Sequence, residues 1–269
     1  LNLYHNVFLK NYYGFHSTLY LQNSANSTAT AYLAFYSTGA GPAFEMTEAI
    51  PPHGTLTLPA ISTSGLPDGN YRLLVSADQP VQSVVRERGT LGSGDKLTAY
   101  RGASGESTMQ VFGPFYKNYG YSASADLFSN LMGWNIGAAD ATISAYFFDA
   151  DGVPVVSDFQ TVPPNEQFTW SPSILDSLGL PDGFNGWVQV TADQPIVGLM
   201  EMYSQPGYEV RAYHGPLETG MPASYLPRAL KGVDEAGGPR ATAIFVGNVG
   251  SAAAVATVEY YGAAGDLFH

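Results

Sequence analysis

The chain has 269 residues, 45% of them apolar but only 13% charged, and its formal charge is −12. It contains no cysteine, which excludes disulfides, thiolate metal sites and cysteine nucleophiles. The acidic balance argues against a nucleic-acid partner, whose phosphates need a basic face, and no run of about 18 apolar residues could cross a membrane as a helix.

Abundant Gly (30), Pro (18), Tyr (18) and Phe (14) favour short strands and turns over helices. In chain order, strands are predicted at 18–22, 30–36, 55–58, 71–76 and 81–86. They are rich in Val, Leu, Tyr and Thr, with Gly, Pro, Asp and Asn between them. A second set is predicted at 125–129, 142–148, 167–170, 186–191 and 196–203. The two sets are copies. Lys10-Asn11-Tyr12 returns as Lys117-Asn118-Tyr119, and Pro51-Pro52 as Pro163-Pro164. Gly65-Leu66-Pro67-Asp68-Gly69 returns as Gly179-Leu180-Pro181-Asp182-Gly183, and Ala77-Asp78-Gln79-Pro80 as Ala192-Asp193-Gln194-Pro195. Ala99-Tyr100-Arg101-Gly102 is answered by Ala212-Tyr213-His214-Gly215. The fixed order of the matches marks an internal repeat of about 110 residues.

A third copy begins at Ala229-Leu230-Lys231. Ile244-Phe245-Val246-Gly247-Asn248 answers Leu19-Tyr20-Leu21-Gln22-Asn23, with Leu127-Phe128-Ser129-Asn130 as the expected counterpart in the second copy. Thr257-Val258-Glu259-Tyr260-Tyr261 answers the strand at 30–36. The later motifs of the repeat do not follow, so the third copy reads as half a domain, with strands expected at 244–246 and 255–261. A start at Leu1 and an end directly after an apolar run read as an internal piece of a longer polypeptide, or as a processed one. With six or seven short strands per repeat and no room for crossover helices, the expected fold is all-β. It consists of tandem immunoglobulin-like antiparallel β-sandwich repeats, two complete and one half: 1–106, 107–220 and 221–269. Linkers are expected at 103–110 and 216–224. Without a Cys pair or a core Trp the repeats are not antibody-like; Trp134, Trp170 and Trp187 all fall in the second.

The order Lys-Asn-Tyr, a Leu/Phe-x-Asn strand, an Ala-x-Tyr-Phe-Phe-type strand, Pro-Pro, Leu-Pro-Asp-Gly and Ala-Asp-Gln-Pro resembles tandem β-sandwich repeats of bacterial secreted and cell-surface proteins. Such repeats are frequent in filamentous, Chloroflexota-like bacteria. The resemblance implies an extracellular or cell-surface array that is not an enzyme, and it brings no catalytic residues with it.

Chemistry-bearing residues are few. Asp149 and Asp151 alternate as calcium-loop acids do, but Asp149-Ala150-Asp151-Gly152 also suits a hairpin turn, which is the preferred reading. Asp68 and Asp182 are expected as turn residues, and Asp78 and Asp193 as residues of the loop between the last two strands. The histidines form no pair at metal-ligand spacing, and no nucleophile elbow or phosphate loop occurs. No cofactor is implied. Asn26 lies in the only Asn-x-Ser/Thr sequon, a candidate glycosylation site. Tyr12, Tyr13, Tyr116, Tyr119 and Tyr121 cluster beside the repeat lysines, either as plugs of a domain joint or as a sugar platform, with the joint favoured.

Charge is uneven. Residues 1–110 carry 6 basic and 7 acidic side chains, 111–220 carry 2 and 12, and 221–269 carry 3 and 4. A solubilising acidic face on the second repeat is the plainer reading; docking onto a less acidic neighbour is the sharper one. A half sandwich would expose edges and an apolar face, so the expected partner is either more of the same chain or another copy. The function expected is a structural component of an extracellular filament, sheath or surface layer, the alternative being an adhesive or glycan-binding surface module.

Overall fold

A computed structural model describes residues 1–39, 41–89, 96–104, 108–122 and 125–205, with shorter stretches at 215–216, 231–235, 238–241, 248, 252–261 and 267–268. Two compact units result, Leu1–Thr219 and Gly220–His269.

The first sandwich of the larger unit begins with β1 (Asn2–Lys10), β2 (Phe15–Asn23) and β3 (Ala29–Tyr36). It continues through β4 (Phe44–Ile50), β5 (Thr55–Pro59), β6 (Gly69–Ala77), β7 (Val81–Gly89), β8 (Lys96–Arg101) and β9 (Ala103–Ser104). One sheet runs β4-β3-β6-β1-β9 and the other β5-β2-β7-β8. Strict alternation of burial along β7 puts Val81, Ser83, Val85 and Glu87 inward, the period-2 pattern of a strand with one wet face. Between the sheets lie Leu3, Phe8, Leu33, Phe35, Leu73 and Val75 from one layer and Leu19, Leu21 and Val85 from the other. The chain changes sheet at residues 78–80, between β6 and β7, whereas the last two strands of the immunoglobulin order share a sheet.

The second sandwich repeats this wiring. Its strands are β10 (Thr108–Lys117), β11 (Tyr119–Ser122), β12 (Ala125–Asn135), β13 (Ala141–Asp149), β14 (Pro154–Val162), β15 (Gln167–Trp170), β16 (Phe184–Gln205) and β17 (Gly215–Pro216). The pairings β1·β6, β2·β7, β2·β5, β3·β4 and β3·β6 return as β10·β16, β12·β16, β12·β15, β13·β14 and β13·β16. One difference stands out. Where the first copy has two strands, the 22-residue β16 passes through both layers: 184–192 pair with β10 and β13, and 196–205 with β12. The bend falls at Asp193-Gln194-Pro195, where proline leaves the ladder without a donor.

The cores exchange bulk between facing strands. Leu21 opposite Leu56 becomes Gly133 opposite Phe168, and Leu19 opposite Leu58 becomes Leu131 opposite Trp170. A Cβ on Gly133 would lie 2.0 Å from the Phe168 ring, so the missing side chain is what admits the ring. Trp170 is fully buried and donates Nε1–H to Asp158 Oδ2 at 2.9 Å. The second sandwich therefore does have a core tryptophan, contrary to expectation.

Other expectations are corrected as well. The segment foreseen as a linker at 103–110 is mostly strand, because Ala103–Ser104 extends the β1 edge and β10 starts at Thr108. A six-residue helix, α1 (Pro172–Ser177), follows β15; β1, β4 and β8 were also not foreseen. The residues 217–224 lie outside the described ones. In the smaller unit, β18 (Lys231–Glu235) pairs with β19 (Gly238–Ala241), and β20 (Tyr260–Tyr261) with β21 (Leu267–Phe268). Of the strand expected at 255–261, only Tyr260–Tyr261 is strand. The one expected at 244–246 falls outside the described residues.

Candidate functional site

The motifs that reveal the repeat prove to be internal clamps. Lys10 Nζ donates to the Thr63 and Leu66 carbonyls at 3.0 and 2.6 Å. Its counterpart Lys117 donates to the Leu180 carbonyl at 2.6 Å and to Asp182 at 2.8 Å, and also pairs with Asp176 at 2.7 Å. Burial pushes the Lys117 pKa down, but the two carboxylates outweigh it and the net shift is upward. Lys117 and Asn118 in turn hold Asp182 below the usual carboxylate range. Asn11 and Asn118 take positive φ (50° and 47°), a conformation asparagine tolerates, and each donates its amide to Asp68 or Asp182. Those two aspartates are turn residues held by their neighbours.

The other aspartates are also occupied with backbone. Asp78 and Asp193 each accept the N–H of the second residue of the neighbouring strand, Thr30 of β3 and Thr142 of β13, both at 2.8 Å. Asp149 Oδ1 accepts the amides of Asp151 and Val153 at 3.0 and 2.8 Å, and Gly152 has φ 80°. This is the Asx-type hairpin geometry that the turn reading requires. Among the described residues no three His, Asp or Glu side chains converge as metal ligands would.

One signal was misplaced in the sequence. Asn23 donates to the carbonyls of Ser27 and Ile50 and accepts the Ala25 amide. Asn135 does the same with Ala139, Val162 and Gly137, and Asn248 donates to Ala252 at 2.7 Å. The counterpart of Asn23 is therefore Asn135 and not Asn130. The extra residues around β11 shift the register, while the fixed offset of Ser17 and Ser129, which accept the Leu9 and Tyr116 amides, confirms it.

The tyrosines expected at a joint are distributed differently. Tyr116 is buried in the second core with Tyr119 packed against it, and burial drives its hydroxyl up to about 12. Tyr12 and Tyr13 meet edge to face and are 39% and 72% exposed. The side chain of Tyr121 lies outside the described residues. Asn26 is exposed in the β2–β3 turn, with His53 Nε2 2.9 Å from its Oδ1.

The joint between the two sandwiches is made by another set. Trp134 is fully buried, with Tyr4 and Tyr36 meeting its ring edge-on, both at 5.2 Å between centroids. The buried Arg72 guanidinium lies 5.6 Å from the Trp134 ring centroid and donates to the Ser37 carbonyl at 3.2 Å. Ala34, Leu74, Val197 and Ile136 fill the rest, and Met132 and Leu199 join the first core cluster. The consequence is visible along β3. Its first half alternates, but from Leu33 to Tyr36 both faces are buried. The joint thus sets the outer face of the β3-β6-β1 layer of one sandwich against the outer face of the β12-β16 layer of the next. No tyrosine spacing could reveal it, because its members come from β1, β3, β6, β12 and β16.

Two further clusters lie in the first sandwich. His5 Nε2 lies 2.8 Å from Ser83 Oγ, a base–nucleophile distance, but His5 is fully buried and burial lowers its pKa to about 3. No substrate reaches it. An open groove of about 320 Å³ on the outer face of β2 and β7 is lined by His16, Thr18, Ile61, Arg86 and Arg88.

No family model and no curated protein matches the chain. Among solved structures, a β-glucuronidase from glycoside hydrolase family 2 aligns at 10% identity with a TM-score of 0.18, over 80% of this chain and 23% of that one. The chain spans less than a quarter of that enzyme's length, and so low a score carries no argument about fold or activity.

Proposed function

We propose that this chain is a non-catalytic stretch of an extracellular array, a structural component that holds successive β-sandwiches at a fixed angle. The observation that supports this reading is the dry joint around Trp134. A pair of domains on a flexible tether would not bury a tryptophan, a tyrosine and an arginine between them, since interfaces of mobile domains are smaller and more polar. The polar residues of the repeat motifs are committed to turns and strand starts, which suits a scaffold.

The test is unfolding of the full chain at several protein concentrations. Trp134→Ala is expected to cost about 3–5 kcal/mol and to separate the melting of the two sandwiches, independently of concentration. Trp134→Phe is expected to cost far less, because Trp134 Nε1 has no partner to lose. A joint that tolerates alanine without separation of the melts overturns the reading. The alternative of an adhesive or glycan-binding module is favoured by one observation, a wet aromatic face formed not by the tyrosines beside the repeat lysines but by Tyr146, Phe148 and Trp187 on the second sandwich.

A further inference from the structure

Because the two sandwiches share their pairings, every joint residue has a counterpart in the other copy. On the first side of the joint, Ala34, Tyr36, Arg72 and Leu74 correspond through the ladder to Tyr146, Phe148, Trp187 and Gln189. In the second sandwich this face is wet. Tyr146 is 40% exposed, and Phe148, Trp187 and Gln189 are only half-buried. On the other side, Trp134, Met132, Val197 and Leu199 correspond to Gln22, Tyr20, Gln82 and Val84. That face of the first sandwich is wet too, with Val84 40% exposed and Gln22 and Gln82 exposed. The larger unit therefore presents, at opposite ends of its pairing scheme, the two halves of a joint it has already made once.

The two faces are chemically complementary. The face on the second sandwich is aromatic and belongs to a segment, 111–220, with 2 basic and 12 acidic residues. The face on the first carries Tyr20 with Arg86 over its ring at 5.6 Å, and Arg88 and Arg101 are exposed on the same side. In the existing joint the arginine comes from the first side and the tryptophan from the second. In the wet pair Trp187 occupies the Arg72 position and the arginines stand on the opposite side. Bulk and charge have changed places, as bulk does between Leu21/Leu56 and Gly133/Phe168 in the cores. Aromatic rings and arginines are also what protein interfaces concentrate.

We propose that a second copy of this chain docks here. The Tyr146–Phe148–Trp187 face of one molecule sits on the Tyr20–Val84–Arg86 face of the next, in the geometry of the internal joint. The proposal rests on the array reading and names its partner. The contact is heterologous, so it propagates head to tail instead of closing as a two-fold dimer.

The experiment is sedimentation of the full chain over a wide concentration range at low salt, with Tyr146→Asp and Arg86→Glu variants alone and mixed. Both positions are exposed, and circular dichroism confirms that each variant folds. The wild type is expected to grow with concentration, and more weakly as salt rises. Each variant alone still has one intact face but no matching partner, so its dissociation constant rises by about tenfold or more. In the 1:1 mixture, the intact aromatic face of Arg86→Glu meets the intact basic face of Tyr146→Asp, and association returns as dimers only. A wild type that stays monomeric throughout overturns the proposal, as does association that survives both substitutions. So does glycan capture lost in Trp187→Ser with no self-association, which would assign the face to a sugar. None of these outcomes touches the concentration-independent melting test of the internal joint, so the two readings fail separately.

Discussion

Single side chains in this protein are mostly spent on holding backbone. Asn135 shows the economy: one amide group closes the β12–β13 turn and ties it to the end of β14 through the Ala139 and Val162 carbonyls. Removing it leaves buried acceptors without donors, so Asn135→Ala is expected to cost about 2–3 kcal/mol, measured by urea unfolding; an unchanged midpoint would show that the turn holds without it. His5 gives a pH signature. Its folded pKa of about 3 lies below the ordinary 6.5, so between those values the unfolded chain takes up a proton that the folded chain refuses. Stability from this group is full above pH 6.5 and falls as pH drops toward 3, by up to about 1.4 kcal/mol per pH unit. Comparing the wild type with His5→Gln from pH 7 to pH 4 isolates that slope, which the variant is expected to lack.

Strands and turns were legible in the sequence to different degrees. Leu-Pro-Asp-Gly, Asp-Gln-Pro and Asp149-Ala150-Asp151-Gly152 carry their backbone angles in their residue types, and the structure uses them as turns. β1 was not legible, because it is buried along most of its length and shows no alternation. The register of β12 was not legible either, because the inserted hairpin at β11 breaks a constant offset. At this scale Gly133→Ala is the sharpest probe. The added methyl would meet the Phe168 ring and the Val197 carbonyl at 2.0 and 2.5 Å, so a loss of about 1–3 kcal/mol is expected. Thermal melting checks it, and Phe168→Leu is expected to recover part of the loss when combined with it.

For the whole molecule, repetition was readable but the way the copies meet was not. The first two repeats were visible as motif order, and the all-β sandwich followed from it. The joint was hidden because it draws one or two residues from each of five strands, and because Trp134 has Gln22 as its counterpart in the first copy. A repeat protein must vary at such places. Identical outer faces would dock indiscriminately, and pairing Arg72 with Trp134 while placing Trp187 and Arg86 elsewhere gives each contact its own partner.

In both sandwiches one backbone passes from layer to layer through an Asp-Gln-Pro segment whose residues pair with no strand, residues 78–80 in the first copy and 193–195 in the second. The strands on either side of that short link belong to different layers, so it ties them as a hoop ties the staves of a cask. Opening one layer pulls on the strand that closes the other, and each sandwich is expected to breathe as a single cooperative body.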